Sequence, residues 1–200
     1  MTYWRSFWAA TLFLVTLDAA AISIDLKAAK PSIMVGETLA ITVSVSGLAE
    51  SVAPSMGVYD LDINFDSDRF NVEGITWGDA TLGNQLDLGG AGSFQLATRS
   101  LGAINLFELS FDDQLTLNNL QAGEFTLFSI LLKATAVGQA HFALWVNAVG
   151  DAVGNNLDVS GLHDLSLGVH SVNVSEPSGS LLLLGVLAII LLRVRRSPSP

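Results

Sequence analysis

Tyr59-Asp-Leu-Asp-Ile-Asn-Phe-Asp66 is the stretch on which the fold turns. Tyr59, Leu61, Ile63 and Phe65 fall on one parity, and Asp60, Asp62, Asn64 and Asp66 on the other. Side chains alternate sides along a strand, so this is a half-buried strand with an apolar inner face and an acidic outer one. The same period recurs upstream. Ile22-Ser-Ile-Asp-Leu-Lys opens a strand that Pro31 breaks, and Val35-Gly-Glu37 reads as a turn. Leu39, Ile41, Val43 and Val45 then share a face, opposite Ala40, Thr42, Ser44 and Ser46. Gly47 to Gly57 is a loop holding Pro54.

Downstream, Phe70 to Gly78 is a strand or irregular edge interrupted at Gly74, and Gly78 to Gly92 is a glycine-rich loop that Leu82, Leu86 and Leu88 pin to the body. Ser93 to Ala97 is a short strand. Ala103 to Phe111 is a longer one, apolar on both parities (Ile104 and Leu106 against Phe107, Leu109 and Phe111), which predicts a central strand or one that changes sheet. Asp112 to Gly123 is a connection with room for a short helical turn. Phe125 to Ala136 is almost continuously apolar and reads as a central strand. Val137-Gly-Gln139 is a turn, Ala140 to Val146 a strand, and Leu162 to Val174 the last strand or pair, with Leu165, Leu167 and Val169 on one face. With no helical periodicity in the body, seven to ten short strands predict an all-β antiparallel β-sandwich over residues 22–174.

The body contains no motif of a known chemistry. Asp60, Asp62, Asn64, Asp66 and Asp68 resemble a calcium ladder. An EF-hand loop, however, needs Gly at its sixth position and Glu at its twelfth, and counting from Asp60 those positions hold Phe65 and Asn71. Carboxylates spread along a strand do not wrap one ion, so the expectation is no metal and no cofactor. His141, His163 and His170 have no cysteine to complete a zinc set. There is no Gly-x-Ser-x-Gly elbow, and no serine is visibly paired with a histidine. The carboxylate pairs Asp112-Asp113 and Asp60/Asp62 leave a glycoside hydrolase open only if two of them face across a cleft. Trp77 and Trp145 are the candidate ligand platform: exposed and coplanar they would stack on a sugar, otherwise they pack. Between Ile22 and Glu176 stand five Lys or Arg against eighteen Asp or Glu, a net charge of −13. Such a surface repels nucleic acid and anionic lipid. With no cysteine in the chain, the core alone must hold the fold.

Both ends differ from the body. Arg5, the apolar run Phe7 to Leu17 and Ala19-Ala-Ala21 have the layout of a secretory signal peptide over residues 1–21, the alternative being an uncleaved N-terminal anchor. At the other end, Ser175-Glu-Pro-Ser-Gly-Ser180 leads into Leu181–Leu192, apolar throughout, and then Arg193, Arg195 and Arg196. From Pro177 to Leu192 sixteen residues are uncharged, against ~20 for a spanning helix. The run predicts a weak or transient transmembrane helix with its arginines on the cytoplasmic side, the alternative being a buried C-terminal helix.

Two resemblances follow. Glu176-Pro177, the apolar run and Arg193, Arg195 and Arg196 resemble the PEP-CTERM sorting signal of Gram-negative bacteria, although Ser175 stands where the first proline belongs. That resemblance implies an exosortase-type processing enzyme as partner. It further implies a precursor held transiently at the inner membrane, and a product at the cell surface or outside, with residues 175–200 as the sorting tail. The second resemblance lies in the body. Tyr59–Asp66, Ile75-Thr-Trp-Gly-Asp79, Gly102–Ser110 and Phe125-Thr-Leu-Phe128 resemble a cohesin-type domain over most of Ile22 to Val159. This implies a nine-stranded jelly-roll sandwich that binds a dockerin-like protein through one sheet face. The function expected is therefore a non-catalytic surface or extracellular-matrix binding or structural module. Binding of an extracellular polysaccharide, as a carbohydrate-binding module, and a secreted carboxylate-dependent glycoside hydrolase are the alternatives.

Overall fold

The computed structural model describes residues 21–50, 53–161 and 164–172. Among the described residues eleven strands and one helix follow in order: β1 (Ile22–Ala28), β2 (Ser32–Met34), β3 (Thr38–Ser46), β4 (Met56–Phe65), β5 (Phe70–Trp77), β6 (Ser93–Ser100), β7 (Ala103–Ser110), α1 (Gln114–Leu120), β8 (Phe125–Ala134), β9 (Gly138–Asp151), β10 (Val159–Ser160) and β11 (Leu165–His170). They form two sheets, ordered β10-β1-β3-β8-β5 and β2-β11-β9-β4-β7-β6. Pairing is antiparallel except for two short contacts, β1 with β10 and β11 with β2, which are parallel.

The core lies between the sheets and is supplied by the inward parity of each strand. Ile22, Ile24 and Leu26 meet Leu39, Ile41, Val43 and Val45 on one sheet, and Tyr59, Leu61 and Ile63 point in from the other. Phe65 is half-buried at the rim. The expected register of β4 is thus the observed one, and a one-residue slip would have sent that whole set into water. β8 is central, between β3 and β5. A bulge opposite Val43/Ser44 lets Leu127 and Phe128, neighbours in sequence, both face the core.

β7 departs from its expected place. It is neither central nor shared between sheets: it lies second from the edge, between β4 and β6. Ile104 and Leu106 enter the core, Leu109 and Phe111 are exposed, and Phe107 is half-buried. Both parities are apolar because one packs and the other forms a surface. The loop from Gly78 to Gly92 is pinned by Leu86, which is buried, while Leu82 is exposed. Much of its order is polar. Asp112 accepts from the backbone N–H of Leu88 (2.6 Å), Gly89 (2.8 Å) and Ala91 (3.3 Å). A Cβ at Gly89 would sit 2.7 Å from the Asp112 carboxylate, so the approach requires glycine.

The transmembrane helix expected of this chain is corrected: among the described residues no helix is long and apolar enough to cross a membrane. α1 has seven residues, about 10 Å at 1.5 Å per residue, against a hydrocarbon core of about 30 Å. The localisation to an inner-membrane-anchored precursor rested on such a helix and is corrected with it. Leu181–Leu192, together with Glu176, Pro177, Arg193, Arg195 and Arg196, lies outside the described residues, as do residues 1–20 of the expected signal peptide.

Candidate functional site

The outer faces of the two sheets differ. On the five-stranded sheet Thr42, Ser44 and Ser129 project outward, and Thr42 Oγ1 lies 3.1 Å from Ser129 Oγ. On the six-stranded sheet the outward parity of β6 and β7 carries an apolar patch. The cross-strand register pairs Phe94 with Leu109 and Leu96 with Phe107. Phe94 is 49% and Leu96 47% exposed, and the rings of Phe94 and Phe107 meet edge to face at 6.1 Å. Phe111, also exposed, extends the patch. Nothing within a strand requires large apolar side chains on a solvent face, so a contiguous set of this kind points to a docking surface.

Beside this patch the outward parity of β4 carries Asp60 and Asp62. Two amides bridge them. Asn105 Nδ2 donates to Asp60 (2.5 Å) and Asp62 (2.9 Å), and Asn147 Nδ2 donates to Asp60 (3.2 Å) and Asp62 (2.9 Å). A register shift between Asp60 and Leu61, opposite Ala148 and Val146, places Asn147 at this spot. The bridged carboxylates present a hydrogen-bonding plate flanked by Phe107 on one side and Trp145 on the other. Among the described residues no group of three or more His, Asp or Glu side chains is arranged to hold a metal ion.

The two tryptophans are not brought together. Trp145 stands on this outer face, opposite Asp62, and is 59% exposed. Trp77 is on the other sheet, half-buried against the core, its ring 6.3 Å from Phe128. Both carboxylate pairs have structural partners. Asp112 holds the glycine-rich loop, and Asp113 caps α1 by accepting from Thr116 N–H at 2.8 Å. One pair escaped the sequence: His141 Nδ1 lies 2.7 Å from Ser166 Oγ. The two residues are register partners on β9 and β11, and both are exposed on the sheet face. Only the strand pairing could reveal this contact.

Behind the apolar patch lies the least expected feature. Glu108, on the inward parity of β7, is 0% exposed. Its Oε2 accepts from the Tyr59 hydroxyl at 2.8 Å. Its Oε1 accepts from Asn84 Nδ2 (2.6 Å), Ser93 Oγ (2.6 Å) and Gln95 Nε2 (2.8 Å). Burial, followed by the adjacent Glu108 charge and the hydrogen bond to it, pushes the Tyr59 phenol far above its ordinary range.

The fold matches solved structures. A cohesin module from a Clostridium perfringens family 33 glycoside hydrolase superposes with a TM-score of 0.54 and 14% identity, covering 76% of this chain and 99% of that one. A non-cellulosomal cohesin from the archaeon Archaeoglobus fulgidus gives 0.52 and 16%, covering 80% and 98%. A chain of a type I cohesin–dockerin complex from Clostridium thermocellum gives 0.58 and 8%, covering 76% and 96%. The sequence itself matches no protein-family model and no curated protein. At these identities the likeness is one of fold: an all-β, mostly antiparallel two-sheet sandwich of the cohesin kind.

Proposed function

We propose that this domain is a non-catalytic, cohesin-like protein-binding module of an exported protein, and that its partner docks on the outer face of β9-β4-β7-β6. The observation that carries this reading is the exposed set Phe94, Leu96, Leu109, Phe111 and Trp145, confined to one sheet and set around the amide-bridged Asp60/Asp62 plate. Protein interfaces combine apolar and aromatic contact area with direct hydrogen bonds, and a tryptophan such as Trp145 is among the residue types that carry most of the affinity. A dockerin-like protein is the partner class that the fold favours. The hydrolase alternative loses its carboxylate pairs to structural work, and a two-tryptophan sugar platform does not form.

Capture from the surface fraction of the native organism tests the reading. The protein should retain a discrete protein partner, and Leu96→Asp should abolish capture while leaving the circular dichroism spectrum and melting temperature in place. Recovery of polysaccharide alone, lost on Trp145→Ala, would favour the carbohydrate-binding alternative. Glycan cleavage abolished by a single Asp or Glu substitution would overturn the non-catalytic reading.

The ends fit the same reading. Residues 1–21 would be removed on export, and an exosortase-type enzyme would cut near Glu176–Pro177 to deliver the product to the surface or the exterior. Intact-mass analysis of surface-released protein should show neither end, and a released species keeping Leu181–Leu192 would sink the second cut.

A further inference from the structure

A carboxylate removed from water without a counter-ion is costly, and among the described ion pairs none involves Glu108. Four neutral donors surround it. Two of them, Ser93 and Asn84, also touch each other. Ser93 Oγ donates to Glu108 Oε1 at 2.6 Å, and the same oxygen accepts from the Asn84 amide nitrogen at 2.6 Å. Asn84 Nδ2 lies 3.1 Å from Ser93 Oγ. The amide carbonyl carbon is one C–N bond of about 1.33 Å from that nitrogen, so it lies no more than about 4.4 Å from the hydroxyl oxygen, and small χ1 rotations of Asn84 and Ser93 close the gap with no backbone movement. Asn84 Oδ1 already accepts the backbone N–H of Leu86 at 3.0 Å, a donor placed where negative charge would develop during attack.

We propose that Ser93 and Asn84 form an intramolecular ester, with Glu108 as the base. Glu108 Oε1 takes the proton of Ser93 Oγ, and Oγ bonds to Asn84 Cγ. The tetrahedral oxyanion is held by Leu86 N–H. Glu108 then returns the proton to Nδ2, the Cγ–Nδ2 bond breaks, and ammonia departs. The product is an ester with the Glu108 carboxylate restored; nothing is oxidised or reduced, and the reaction turns over once per chain. Fixed side chains raise the effective concentration of the hydroxyl far above that of water, and dilution of the ammonia draws the exchange forward. The link ties the Gly78–Gly92 loop to edge strand β6, which carries Phe94 and Leu96 of the docking face. In a chain without cysteine it is a covalent staple that needs no oxidant.

Peptide mass decides the matter. Trypsin cuts after Arg69 and Arg99 with no Lys or Arg between, so Asn84 and Ser93 fall in one peptide. From the folded full-length protein, peptide 70–99 should be lighter than its sequence by one ammonia, about 17 Da. Mild base should open it to a species about 1 Da heavier than the unreacted peptide, because Asn84 is released as aspartate. Ser93→Ala and Glu108→Gln should abolish the loss, each with the β-sheet dichroism retained. A peptide of full sequence mass overturns the proposal. So does a loss that persists in Ser93→Ala, which would be a succinimide at Asn84–Gln85. Should Glu108→Gln fail to fold, Ser93→Ala alone carries the test.

Discussion

Tyr59 has two separable roles. Its ring packs at 6.0 Å from Phe128, and its hydroxyl donates to buried Glu108. Tyr59→Phe keeps the first and removes the second, so it should cost about 2 kcal/mol, the range for a hydrogen bond to a charged group; urea denaturation measures it. Asp79 gives a pH signature. Its carboxylate accepts from the backbone N–H of Leu82, Thr81 and Thr126, and these bonds hold its pKa down from 3.8 to about 2. A depressed folded pKa adds stability above the unfolded value, and that stability drains away as pH falls from about 4 through about 2. In acid titrations followed by melting temperature, Asp79→Asn should therefore lie below the native protein at pH 6 and converge toward it by about pH 2. Neither role was legible in sequence. Tyr59 falls inside by its parity, but Gly102–Ser110 is apolar on both parities, so its sequence does not say that Glu108 turns inward until β7 pairs with β4.

At the scale of elements, legibility followed how sharply each strand separates its faces. β4 alternates fully between apolar and acidic, and its register followed. β7 is apolar on both parities, so periodicity alone could not tell a buried strand from one with an exposed apolar face. Its position beside edge strand β6 decided. β9 continues to Asp151, well past the expected end at Val146, because β4 supplies partners up to Met56. That junction is tight: a Cβ at Gly57 would meet Ala152 Cα at 2.7 Å and Asp151 O at 2.8 Å, both backbone atoms. Gly57→Ala should therefore cost about 1–3 kcal/mol, the range for overpacking, although propensity alone favours alanine in a strand. A shift of the denaturation midpoint at unchanged slope is the expected readout.

For the whole molecule, charge and fold pull in opposite directions. Net −13 over Ile22–Glu176 repels itself. The ion pairs among the described residues are partly exposed and span 3.5–4.0 Å, a class worth about 0–1 kcal/mol each. Screening the repulsion should outweigh losing them, so melting temperature should rise by a few degrees from low salt to about 0.5 M NaCl. A fall would mean that attractive pairs dominate. The sequence by itself determined the class of fold, the inward set of β4, the acidic body without cysteine and the absence of an EF-hand spacing. These depend on the parity and order of residues, which are local properties. Tertiary structure alone decided the rest: that Trp77 is half-buried against the core while Trp145 faces water, that Asn105 and Asn147 bridge Asp60 and Asp62, that His141 meets Ser166, and that Asn84, Ser93, Gln95 and Tyr59 converge on Glu108. Each of these contacts joins residues through the pairing of strands and the return of a long loop. Partners so far apart along the chain become neighbours only when two sheets close on one core, which no periodicity within a single strand encodes.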